Sequence, residues 1–408
     1  MPPPTRIAAS LLPASSCECT CADPTTFPSP LDLLASDSQF STVRSQWENP
    51  NDILSLLMII GGDVVQRAVA QLSGHTSYFV PTAFSFGWVG YSMNAVLLSI
   101  GEGRLMPPAD CSSILVNAKN GYIKANQSWI LGRIVRDHRT PTPHKGLTVT
   151  FFRTSPIAKH TMPGVPHRDW LYWSGVVCIL IQLGISIIPG AIHNDWVTLV
   201  VTAAGTMLAL LGGAQPQWAT EKWACRRLKP GGREVVCLTR GNGNKDVIVI
   251  VNEGGDKLRL EDLANLRDSR ARYTIVYTSI LAVLWFVLLL TVAGLQNNAW
   301  YVLAVGSLGM IQNYIVAGVR RSPGAFGIHL EGRREVHKEK VFDALVAADD
   351  MERGVGVSLI PVFFPGGLFP HEEKWVKERR ELIAAHEDRR DKKVQAQASA
   401  VSIVAQVD

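Results

Sequence analysis

Two side chains of opposite charge, Asp63 and Arg67, lie inside the apolar stretch Ile53–Leu72, ILSLLMIIGGDVVQRAVAQL. On a helix they stand one turn apart with the acid on the N-terminal side, the orientation that favours pairing. At 100° per residue Ser55, Gln66, Arg67, Ala70 and Gln71 share a half-wheel with Asp63. The other half holds Leu54, Leu57, Met58, Gly61, Val64, Val65, Ala68 and Leu72. Such a division predicts a polar stripe turned toward other helices and an apolar face toward lipid. Two central charges cost about 5–7 kcal/mol of insertion energy against about 3–6 kcal/mol gained from roughly ten Leu, Ile and Val residues, so this helix needs partners to insert. An ion pair at that depth either handles a proton or ligand or locks helix packing.

Further along, Asn94, Gln182, Gln312 and Asn313 interrupt other apolar spans and, with Gln66, could join one intramembrane cluster. Counted at 1.5 Å per residue, Asp63 and Gln182 lie roughly 16–18 Å from the basic side of the membrane and the other three about 9–10 Å. A pocket for a proton or ligand is one reading; hydrogen bonds that glue helices together is the simpler one until the contacts are known. Arg240-Gly-Asn-Gly-Asn-Lys245 carries phosphate-binding residue types, but a strand follows rather than a helix, which predicts a hairpin turn. His138, His144, His160 and His167 lack the spacing of a metal-binding helix, and Asp349-Asp350-Met-Glu352 reads as a charged helix end. The seven cysteines contain no C-x2-C pair; Cys17, Cys19 and Cys21 lie in a Pro/Ser-rich tail. No metal, cofactor or catalytic residue is assigned.

The elements that must position these residues are mainly α-helical. Six spans in three hairpins are expected: 53–72 with 79–100, 170–189 with 196–211, and 273–295 with 299–319. Residues 1–50 read as a disordered tail. The 102–169 loop carries an amphipathic helix at Ile114–Asp137 and a strand at Leu147–Phe152; the 214–272 loop carries a β-hairpin at 233–251 and a charged helix at Leu260–Arg270. Beyond 320 an amphipathic helix at Val336–Met351, a broken apolar run LIPVFFPGGLFP and a charged helix at Glu372–Lys393 are expected.

The short connections 73–78, 190–195 and 296–298 hold no Lys or Arg, whereas 101–169, 214–272 and 320–408 hold ten, twelve and fifteen. The positive-inside rule therefore places both long loops and both termini in the cytosol. A net charge of +5 gives nucleic-acid binding little support. The second and third hairpins share a faint parallel repeat in which Leu199, Val201 and Gly205 match Leu303, Val305 and Gly309.

NPNDILSLLMIIGGDVVQRAVAQLSG (49–74), FSFGWVGYSMNAVLLSIGEGRLMP (84–107), PQWATEKWACRR (216–227), LTRGNG (238–243) and AFGIHL (325–330) together resemble an uncharacterised family of multi-pass membrane proteins of filamentous fungi. The resemblance implies a bilayer-embedded protein and, by association, an accessory role beside specialised-metabolite pathways, with pathway enzymes or a lipophilic small molecule as partners. It carries over no activity. A membrane enzyme acting on a lipophilic intermediate, and a small-molecule transporter or channel, are the alternatives.

Overall fold

The computed structural model describes residues 61–74, 79–138, 145–155, 164–265, 272–295 and 297–386. Four helical stretches are long and apolar enough to cross a membrane, and they mark the chain as a membrane protein. They are α4 (Trp170–His193), α5 (Val197–Gly213) running on into α6 (Pro216–Lys222), α8 (Arg272–Ala293) and α9 (Ala299–Gly318). Asp169 caps α4 by accepting from the Tyr172 N–H, and Asn194 ends it in the left-handed region. The two tight turns meet: the Asn298 amide donates to Asp195 at 2.8 Å. Exposed Trp196 and Trp300 lie at that end, and exposed Trp170, Trp173 and Tyr273 at the other, the two aromatic belts of a spanning bundle.

Among the described residues, the expected first two spans are not membrane-crossing helices. Residues 53–60 lie outside the described residues, and α1 (Gly62–Leu72) is only 11 residues long, about 16 Å. The stretch read as a second span is extended from 79 to 86 and helical only in α2 (Gly87–Gly101), about 22 Å against a hydrocarbon core of ~30 Å. The chain enters beside the last turn of α5, where Val80 packs on Gly213, and reaches the middle of the bundle at Phe84, between Gly205 and Gly309. It then turns back as α2, whose Ser99 meets Thr278 in the second turn of α8. Residues 79–101 are thus a re-entrant hairpin, and among the described residues spans number four rather than six. Non-helical backbone at such depth survives only where protein covers it; Val80, Thr82, Ala83, Phe84, Ser85 and Phe86 are all buried. The repeat has a physical counterpart here, since Gly205 and Gly309 both face Phe84.

Six strands form one mixed sheet in the order β2-β1-β4-β5-β3-β6: β1 (Ile114–Asn117), β2 (Ile123–Ala125), β3 (Leu147–Thr154), β4 (Arg233–Thr239), β5 (Asp246–Glu253) and β6 (Leu330–Lys338). All pairs are antiparallel except β3 with β5. The expected β4–β5 hairpin is present, its 240–245 turn supplied by Gly241 and Gly243 at positive φ. The expected helix at 114–137 is instead β1, β2 and the short helix α3 (Trp129–Asp137). The charged helix at 260–270 is one turn, α7 (Leu260–Leu263), with 266–271 outside the described residues. The helix expected from Val336 begins at Val341, because Val336 belongs to β6.

Both faces of the sheet are covered. Val149, Val235, Cys237, Val247 and Val249 pack against α10 (Val341–Met351), α11 (Val355–Phe363) and the helix at 370–386, so the LIPVFF run lies on the sheet and not in lipid. The alternate residues Val236, Leu238, Ile248 and Ile250 pack against Trp129, Ile134, Trp223 and Phe326, and this core continues without a break to Trp88, Trp285 and Phe84 in the bundle. Asp349 sits at the α10–α11 corner, accepting from the Gly354 and Gly356 N–H groups and from Arg379.

Candidate functional site

Apolar helices supply few polar side chains, so the destination of each one decides what the interior can do. The Gln182 amide donates to the Phe84 carbonyl at 2.7 Å and to the Val305 carbonyl at 2.8 Å. Asn313 donates to the Ala83 carbonyl at 3.2 Å and the Ser85 hydroxyl at 2.9 Å. These two fully buried amides from different spanning helices hold the re-entrant segment on successive residues, standing in for the backbone partners that an extended chain at this depth lacks. Gln312 lies one residue before Asn313 but donates to Ser174 on α4. Gln66 donates to the Leu105 carbonyl at 2.8 Å. Asn94 is half-buried on α2 and joins none of these bonds.

The expected single cluster is therefore divided. Gln182 and Asn313 come together, Gln312 and Gln66 tie other elements, and the Asp63–Arg67 pair does not form. The expected stripe is split: Asp63 and Arg67 are exposed, while α1 buries Val65, Ala68, Val69 and Leu72 from its apolar half. Gln66, Ala70 and Gln71 of the expected polar half are buried. Arg67 reaches Asp110 at 3.9 Å.

Replacing Gln182 by Leu leaves the Phe84 carbonyl without its partner and is expected to cost about 1–2 kcal/mol, read as a lower thermal midpoint in detergent. Asn94→Ala should leave that midpoint unchanged.

A second group of charged residues, absent from the sequence reading, stands where the bundle meets the sheet. Arg133, with no exposed surface, donates to Asp110 (2.8 Å) and to the Ala317 and Val319 carbonyls (both 2.9 Å) at the end of α9. Arg136 donates to the Gly318 carbonyl and pairs with Asp110 and Asp137. Lys222, buried, donates to the Ala70 and Ser73 carbonyls at the end of α1, with the Trp223 ring 5.0 Å away. Arg321 donates to the Gln71 carbonyl and pairs with Asp169. Four cations thus satisfy the orphan carbonyls and negative dipole ends of two membrane helices. Glu221 mirrors them, accepting from the Leu105 and Met106 N–H groups where α2 leaves the bundle.

His138 caps α3 against the Phe152 ring, 5.9 Å away. Burial, then the charge of Arg333, hold its imidazole below the ordinary 6.5. The unfolded chain binds that proton first, so stability is full at neutral pH and is lost as pH falls through 6.5. The thermal midpoint should drop between pH 7 and 5, and less steeply in His138→Phe.

A small cavity of about 30 Å³ opens at the carboxyl ends of the parallel pair β3 and β5, lined by Thr154, Asn252, Lys257, Leu260, Ile328 and His329 among others. Lys257 donates to the Thr154 carbonyl and hydroxyl, and that hydroxyl donates to Asn252. Burial lowers the Lys257 amine from its ordinary range against the opposing charges of Glu253 and Glu331. The carboxyl ends of parallel strands are where α/β sheets bind ligands. No protein-family model, curated protein or solved structure matches the chain.

Proposed function

We propose that the protein is a multi-pass accessory component of a fungal specialised-metabolite pathway, a membrane scaffold that holds an α/β layer against the cytosolic surface. The observation that carries this reading is the use of the intramembrane amides: the Gln182 and Asn313 nitrogens bond the re-entrant segment and the Val305 carbonyl of the chain itself. The continuous core between bundle and sheet supports it, since a layer sharing its core with the membrane domain presents one fixed surface. The cytosolic side follows from the basic residues gathered around the sheet. Deletion of the gene with metabolite profiling tests it. A scaffold predicts a general fall in pathway output without build-up of one intermediate. A single accumulated precursor would make the protein an enzyme, and end product retained in cells a transporter.

The second reading, an enzyme acting on a lipophilic intermediate, is favoured by the bonded group Lys257, Thr154 and Asn252, which lines one small cavity with His329. On that reading Lys257→Met and His329→Gln cause the precursor to accumulate while the folded protein persists.

A further inference from the structure

Asp63 and Arg67 face out of the bundle on α1, which packs between α2 and α9. The Gln71 carbonyl is bonded to the same Arg321 that pairs with Asp169 at the start of α4, which sets the level of the bundle's end. Arg67 and Asp63 therefore stand about 6 and 12 Å deeper. The Asp63 carboxylate has no hydrogen bond or ion pair among the described residues, and Gly61 gives no side-chain cap at that helix start. Arg67, its side chain half exposed, approaches only Asp110, which Arg133 and Arg136 already hold. Facing lipid, a charge costs about 2.5–3.5 kcal/mol at the bilayer centre and less toward the edge, so Asp63 bears more of this cost than Arg67. The dipole at the start of α1 returns at most ~1 kcal/mol for Asp63.

We propose that this stripe is the contact between two copies of the chain, related by a two-fold axis along the membrane normal, with Asp63 of each copy paired to Arg67 of the other. The choice of a second copy rests on charge complementarity. The patch carries one charge of each sign a turn apart, so it is complementary to itself. A two-fold axis sets the same patch on both sides of the contact and makes two reciprocal pairs. The Arg67 side chain is long enough to reach across to an acid one turn deeper, and pairing in a low-dielectric setting is strong. The assembly is independent of the scaffold reading and stands if that reading fails.

The full chain, labelled with one dye per copy and reconstituted at low density in phosphatidylcholine liposomes, is counted by stepwise photobleaching. Two steps are expected for the natural sequence. Asp63→Arg alone and Arg67→Asp alone each place like charges across the contact and should give single steps. Mixed together, the two variants carry all-basic and all-acidic patches and should pair with each other, seen as co-localised dyes. Asp63→Asn with Arg67→Gln keeps the fold with neutral side chains and should weaken association at least ~tenfold. Thermal midpoints in detergent check that each variant is folded. Single steps for the natural sequence, unchanged pairing in the neutral variant, or two folded single variants that stay apart when mixed would each overturn the proposal.

Discussion

Replacing Gly309 by Ala is expected to leave almost no folded protein recoverable from the membrane. A Cβ there would stand 1.7 Å from the Phe84 carbonyl oxygen and 2.6 Å from the Gln182 amide nitrogen, well inside contact distance. Neither neighbour can retreat. The carbonyl is held at 2.7 Å by Gln182, and the Phe84 ring is stacked on Trp285, which is stacked in turn on Trp88. Overpacking a site so confined costs about 3 kcal/mol or more, a large part of the stability of most domains. Gly205→Ala meets the Phe84 ring edge at 2.5 Å and should be destabilising but less severe than Gly309→Ala. Gly184 on α4 is the control, because a Cβ there meets nothing within 4 Å. Gly184→Ala should raise stability by up to ~1 kcal/mol through helix propensity. Yield of monodisperse protein and thermal midpoint, compared across the three variants, check the ranking.

That ranking could not be read from the sequence, and the reason lies in the re-entrant segment. FVPTAFSF is apolar throughout, and hydropathy does not distinguish an extended buried chain from a helical one. Pro81 fitted a first helical turn equally well. The four spans were legible because each pairs length with a tight turn free of Lys and Arg. β3 and the β4–β5 hairpin were legible from β-branched runs and a Gly/Asn turn. Of the interior polar residues, Gln182 and Asn313 could be picked out, but their partners are backbone carbonyls about 100 and 230 positions away, a relation that no spacing encodes. The helical wheel divided α1 into a charged and an apolar side; which side the bundle would bury depends on neighbours that the wheel does not contain. Arg133 and Lys222 carry no such signal, because a cation's place in the sequence marks topology and not burial, and both are buried at helix ends.

Arg133 is the position outside the membrane where substitution should cost most. Its guanidinium joins three elements: α3, which carries it, the Asp110 loop and the end of α9. Arg133→Met removes the donor to two helix-end carbonyls and one of the cations paired with Asp110, which is itself buried. Breaking a buried pair by removing one partner typically costs 3–5 kcal/mol. Here Arg136 at 3.3 Å still faces Asp110, so the lower end, about 3 kcal/mol, is expected. Arg133→Lys should recover only part of it, because one ammonium cannot reach a carboxylate and two carbonyls with the geometry of a planar fork. The loss should also be local in its pattern. Trp129, 5.4 Å below the guanidinium, belongs to the core that joins the sheet to the bundle. Amide hydrogen exchange in Arg133→Lys should therefore rise first in α3 and the last turn of α9, while β4 and β5 keep their protection. Equal exchange gains across the whole sheet would mean that the junction and the sheet unfold as one unit.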